Sequence, residues 1–189
     1  MRLRRELHGL NVEVNSSASV LDYFSLFQLE ATFCIDQDRL RGNYQTLIKK
    51  FHPDQYMGLP EVDQRVAAQS CADINNGFRV LSNEILRAEY LLKMSGVDLR
   101  HAEKEGVGSN FLMVQIALRE RLDAISADNH SLLDPLRVDV KKLYDQSRDT
   151  FVRATLQADW AEASVSWLEM CYSDKLLSEV VRISHRGEF

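Results

Sequence analysis

Proline and glycine are scarce in this 189-residue chain, three and eight respectively, and stretches of alternating β-branched residues are few. Strand-rich folds depend on such punctuation, so the shortage points to an all-α protein. Cys34, Cys71 and Cys171 are odd in number, far apart and without a CxxC pair. That excludes a disulfide framework, and a thiolate zinc or cluster site made by this chain alone. Cys71 and Cys171 are expected as small buried apolar residues. No apolar run approaches the roughly 20 residues a spanning helix needs, so no membrane segment is expected. Positive charge is in deficit too: the net charge is −5 and the pI about 5.6, which argues against a general nucleic-acid binder. Hydrophobic residues make up 45% of the chain, enough to build one or two small cores.

What the chain does contain is helical periodicity with clear stops. Leu40, Tyr44, Leu47, Ile48 and Phe51 recur on one helix face. Pro53 lacks an N–H and pushes its predecessor out of the α region, so that helix is predicted to end near Phe51 or His52. Asp36 is its expected N-cap. A second helix is expected from Glu61 to about Leu81, with Ala67, Ser70, Cys71, Ile74, Phe78 and Leu81 on one small-to-apolar face. Between them His52-Pro53-Asp54 sits on a polar turn. A short helix is expected near Asp22. Another is expected after Ser82 or Asn83, closed by Gly96.

Against the acidic background one local feature stands out. Arg41, Gln45 and Lys49 form an i, i+4, i+8 row, with Lys50 on the same polar side. Alone it reads as a solvated face; beside His52 and Asp54 it reads as a docking surface for an acidic partner.

The first residues, 1–20, carry Arg2, Arg4 and Arg5 but no following apolar stretch, and are expected as a disordered segment or extension. Residues 98–108 are polar, with two glycines near the end, and read as an interdomain linker. From residue 109 onward three amphipathic helices are predicted, an antiparallel bundle. The first runs from about Ser109 to Ile125. The second opens at Asp134-Pro135 as N-cap and N1. The third runs from about Asp159 to Ile183, with Trp160, Ala163, Trp167, Cys171 and Val181 on one face.

The first of these helices has two apolar faces. Phe111, Val114, Leu118, Leu122 and Ile125 form the expected core stripe; Leu112, Met113 and Ile116 lie nearly opposite, continued by Glu120 and Asp123. A small bundle has one interior, so the opposed row is either covered by the N-terminal half or is a binding patch with an acidic border. Val165, Leu168, Tyr172 and Leu176 gather away from the Trp face of the last helix, so Tyr172 is a candidate extension of that patch.

A helix, a His-Pro-Asp turn and an antiparallel second helix resemble a J-domain, the module that activates Hsp70 chaperones. The combination with a three-helix bundle resembles the HscB family, J-type co-chaperones of iron–sulfur cluster assembly. The likeness rests on Asp22-Tyr23-Phe24-Ser25-Leu26-Phe27, His52-Pro53-Asp54, Arg87-Ala88-Glu89-Tyr90-Leu91-Leu92, Phe111-Leu112-Met113, Leu118-Arg119-Glu120 and Asp174-Lys175-Leu176. It implies a J-domain hairpin over 21–97 and a scaffold-binding bundle over 109–189, in an L-shaped arrangement. It also implies that His52, Pro53, Asp54, Arg41, Lys49 and Lys50 contact a dedicated Hsp70 of the HscA type and stimulate its ATPase. Leu112, Met113, Ile116, Glu120 and Tyr172 would hold an IscU-type cluster scaffold.

The resemblance implies no catalytic residue, no metal site and no cofactor, and no nucleic-acid or membrane partner. Ala117 and Ala124 stand where the family often has acidic residues, and Glu84 where it often has proline. The cysteine-rich module of some eukaryotic relatives is missing, which favours a bacterial cytoplasmic member. An enzyme using His52 and Asp54 as an acid–base pair is disfavoured, because His8, His101, His130 and His185 fall in the tail, linker, loops and C-terminus. A general J-protein serving another client is the alternative, differing only at the bundle patch.

Overall fold

The computed structural model describes residues 21–125 and 127–186, so the expectation for 1–20 lies outside the described residues. The chain divides into two compact units, Met1–Leu91 and Leu92–Phe189. Among the described residues every regular element is helical.

In the first unit a short helix, α1 (Tyr23–Leu26), is capped by Asp22, whose carboxylate accepts from the Phe24 and Ser25 amides. Helix α2 (Gln37–Phe51) opens on Asp36, which accepts from the amides of Asp38 and Arg39 and so satisfies two orphan donors. It stops at Phe51, and Pro53–Tyr56 form a 3₁₀ turn. Helix α3 (Glu61–Ser82) returns antiparallel, with Tyr44 stacked on Phe78 at 4.1 Å and its hydroxyl on Asn75 Oδ1 at 3.0 Å. Phe24, Phe27, Leu40, Phe51, Ala67, Ile74 and Leu81 are buried. Gly77 marks where α1 presses onto α3: a Cβ there would lie 2.8 Å from Tyr23 Cδ1 and 3.0 Å from Phe27 Cε2.

Helix α4 (Glu84–Met94) starts from Asn83, which accepts from the Leu86 amide, and ends at Gly96, whose φ of +78° only glycine adopts freely. The Val97 amide bonds back to the Leu92 carbonyl, closing the helix in the expected way.

In the second unit, the segment expected as a linker contains α5 (Leu99–Glu105), capped by Asp98 and packed through buried Ala102. The bundle follows as α6 (Ser109–Asp123), α7 (Leu133–Leu156) and α8 (Trp160–Arg186). Its interior holds Leu118, Leu122, Leu133, Leu136, Val140, Leu176 and Val180. Ion pairs Arg121–Asp139 (2.7 Å) and Arg153–Glu162 (2.9 Å) mark the α6–α7 and α7–α8 seams.

Several expectations shift. Asp134 lies inside the first turn of α7 rather than capping it. Val114 is 45% exposed, outside the core stripe, and Val181 is exposed as well. Leu168 and Leu176 are buried, because α8 is flanked by both neighbours and buries more than one stripe. Cys71 and Cys171 are half-buried.

Candidate functional site

The His-Pro-Asp turn is a consequence of how α2 ends. A continued helix would give the Lys50 carbonyl the Asp54 amide, its i+4 donor. Pro53 prevents continuation, and His52 takes extended angles (φ −62°, ψ 130°). The Asp54 amide instead donates to His52 Nδ1 at 3.3 Å, while the Tyr56 hydroxyl donates to the Lys50 carbonyl at 3.1 Å. Accepting at Nδ1 requires the tautomer carrying its proton on Nε2. The half-exposed ring therefore turns an N–H donor toward solvent. The Asp54 carboxylate, 77% exposed, lies 3.5 Å from the same Nδ1.

The basic row flanks this turn. Arg41 pairs with Asp38 at 3.2 Å, both well exposed, a contact of little energetic weight. Lys49 and Lys50 lie in the last turn of α2, where cations complement the helix dipole, and Lys50 Nζ sits 5.4 Å from the Phe51 ring centre. Structure thus brings His52, Pro53, Asp54, Lys49 and Lys50 to one helix end, with Arg41 further up the same helix.

The second surface lies on the bundle. Leu112, Met113 and Ile116 are 43%, 61% and 57% exposed, and Glu120 is exposed beside them. Opposite-face residues Phe111, Leu118 and Leu122 are buried. Tyr172 on α8 is 46% exposed, its ring 6.5 Å from that of buried Phe111 on the inward face of α6. Gln115 Nε2 donates to Ser173 Oγ at 3.2 Å, and Arg119 pairs with Glu179 at 2.9 Å. These contacts fix the register of α6 on α8. Arg119 falls on the Leu112–Ile116 flank, seven residues after the first and three after the second, at the border of the patch.

The Arg87-to-Leu92 stretch has a structural task. Arg87 is buried, donates from Nε to the Phe33 carbonyl at 2.8 Å and from Nη1 to the Leu81 carbonyl, and stacks 5.0 Å from the Phe33 ring centre. Tyr90 accepts from the Tyr23 amide at 3.1 Å and donates to the Leu21 carbonyl at 3.3 Å. Burial pushes the Tyr90 phenol above its ordinary pKa, keeping that donor protonated.

Among the described residues no group of three or more His, Cys, Asp or Glu is placed to hold a metal, and no helix is long and apolar enough to cross a membrane.

Comparison with known proteins gives consistent findings. Residues 107–181 match the family described as the HSCB C-terminal oligomerisation domain. A co-chaperone protein HscB homolog of Vibrio vulnificus is 33% identical over 168 residues, covering 88% of this chain and 98% of the relative. The structure of chaperone HscB from Vibrio cholerae superposes with a TM-score of 0.79 at 29% identity, over 88% of this chain and 99% of that one. Human co-chaperone HscB gives a TM-score of 0.82 at 22% identity, over 88% and 84% of the two chains, a likeness of fold.

Proposed function

The chain belongs to the HscB family of co-chaperones, and on that premise we propose that it delivers an iron–sulfur cluster scaffold of the IscU type to a dedicated Hsp70 of the HscA type. In this reading the first unit, a J-domain, stimulates ATP hydrolysis by the Hsp70, and the bundle grips the scaffold. The chemistry of hydrolysis belongs to the partner; this chain supplies recognition and timing. The Vibrio relative suits a bacterial cytoplasmic setting.

One observation carries the proposal: a single chain presents both an exposed His-Pro-Asp turn beside a basic helix end and an exposed apolar patch with an acidic neighbour, Glu120. The Lys49–Lys50 end suits an acidic surface and acts mainly on encounter and orientation. Leu112, Met113, Ile116 and Tyr172 offer a compact apolar anchor of the kind that dominates protein–protein binding. Holding client and ATPase on one chain raises the concentration of each as seen by the other.

The test is an ATPase assay with purified Hsp70 and scaffold. The intact chain is expected to accelerate hydrolysis, and to do so further when scaffold is added. His52→Gln, a substitution on the surface, is expected to abolish stimulation while circular dichroism stays unchanged. Stimulation surviving in His52→Gln overturns the J-domain reading. Stimulation that ignores the scaffold, with no scaffold captured by the chain, assigns the bundle to another client.

A further inference from the structure

Tyr56 makes a contact that spans the turn, its hydroxyl donating to the Lys50 carbonyl. We infer that Tyr56 is a positioning residue for the Hsp70-activating turn: its hydroxyl fills the place at the Lys50 carbonyl that Pro53 keeps the Asp54 amide from taking, and so ties down the turn in which that amide holds the His52 ring. This rests on the J-domain function proposed above and deepens it.

The argument is one of donors and acceptors. The last carbonyls of a helix lack intrahelical partners and must be satisfied from outside. Pro53 supplies no N–H, and the Asp54 amide points at His52 Nδ1 instead of back along α2. The Gln55 amide is occupied with the His52 carbonyl at 3.0 Å, closing the 3₁₀ turn. The hydroxyl of Tyr56 reaches Lys50 from the far side of that turn, 3.1 Å away, clamping both ends of the His-Pro-Asp segment. Were the hydroxyl removed, the Lys50 carbonyl would lose this donor and the turn its tie to the end of α2, loosening the Asp54–His52 contact. The His52 ring would lose the fixed acceptor bond that sets its tautomer.

Tyr56→Phe keeps the ring and deletes only the clamp. Three quantities separate positioning from mere support: melting temperature, the concentration giving half-maximal Hsp70 stimulation, and the maximal stimulation. Melting is expected to change little and the half-maximal concentration, set by Lys49 and Lys50, to stay put. Maximal stimulation is expected to fall roughly fivefold, the population change that loss of one net hydrogen bond brings. A second readout needs no Hsp70: ¹⁵N resonances of the His52 imidazole are expected to show the Nε2–H tautomer in the parent chain and to move toward the average of both tautomers in Tyr56→Phe.

Unchanged maximal stimulation together with unchanged His52 resonances overturns the inference, as does a loss expressed only in the half-maximal concentration. Failure of the parent chain to stimulate any Hsp70 would fell the function proposed above, while the resonance measurement would still decide whether the clamp exists.

Discussion

A buried charged or titratable group is costly unless its partners are in place, and Arg87 and Glu169 fall on opposite sides of that rule. Arg87 uses two backbone carbonyls and an aromatic face, so its burial ties the loop at Phe33 to the end of α3. A stretch that carries the family resemblance is thus part of the architecture of the first unit. Glu169, half-buried on α8, accepts a hydrogen bond at Oε2 from the Ser147 hydroxyl at 2.9 Å. Desolvation raises its pKa above the usual glutamate value, and the Ser147 bond offsets only part of that. For an acid with a raised folded-state pKa, the native state holds its proton longer than the unfolded chain. Stability therefore falls as pH rises from the ordinary glutamate range through the raised value, and the deficit persists above it. Glu169→Gln keeps an acceptor for Ser147 and removes the charge. It is expected to melt higher than the parent near neutral pH and at the same temperature in strong acid, in paired thermal scans. A lower melting temperature at neutral pH would mean that the Ser147 bond outweighs desolvation.

At the scale of elements, the same substitution has opposite signs at two helical glycines. Gly42 on α2 has nothing within 4 Å of a built Cβ, so Gly42→Ala gains helix propensity, about 0.5–1 kcal/mol. Gly77 on α3 meets Tyr23 and Phe27, whose rings are held by the Tyr90 network and the core. There overpacking of about 1–3 kcal/mol exceeds the propensity gain, and Gly77→Ala is expected to be less stable than the parent. Urea melts of both variants check the pair; a stabilised Gly77→Ala would show that α1 yields easily.

Sequence made the element ends legible wherever one residue type is strongly demanded. Asp36 and Asn83 as caps, Pro53 as a stop and Gly96 at a positive φ all stand where expected. The His-Pro-Asp turn and the outward row of α6 were equally readable, because each follows from local chemistry or from periodicity within one helix. What remained hidden depends on neighbours. Helix α5 is only seven residues long, too short for a periodic signal. The burial of Leu168 and Leu176 follows from α8 having helices on two sides. Tyr56 was invisible because its hydroxyl matters only through a carbonyl six residues away.

At the scale of the whole molecule, the question is whether the two proposed binding surfaces act because they share one chain. Leu112→Ala with Ile116→Ala removes side chains that are half or more exposed, or nearly so, and is expected to cost at most about 0.5 kcal/mol of stability at each site. Scaffold binding should weaken by about 2 kcal/mol or more in total, the scale of a hot-spot loss, if the row is the anchor proposed. A large drop in melting temperature would instead make the row part of the bundle's own packing. This double variant keeps an intact His-Pro-Asp turn, while His52→Gln keeps an intact patch. Each lacks what the other has. If coupling works through effective concentration, a mixture of the two restores no scaffold-dependent stimulation, because the molecule that holds the client is not the one that fires the ATPase. If the patch instead prepares the scaffold by changing its conformation, the released scaffold stays competent and the mixture recovers activity. Measuring Hsp70 turnover with both variants present, at concentrations below that of intermolecular encounter, distinguishes a tether from a conformational priming step.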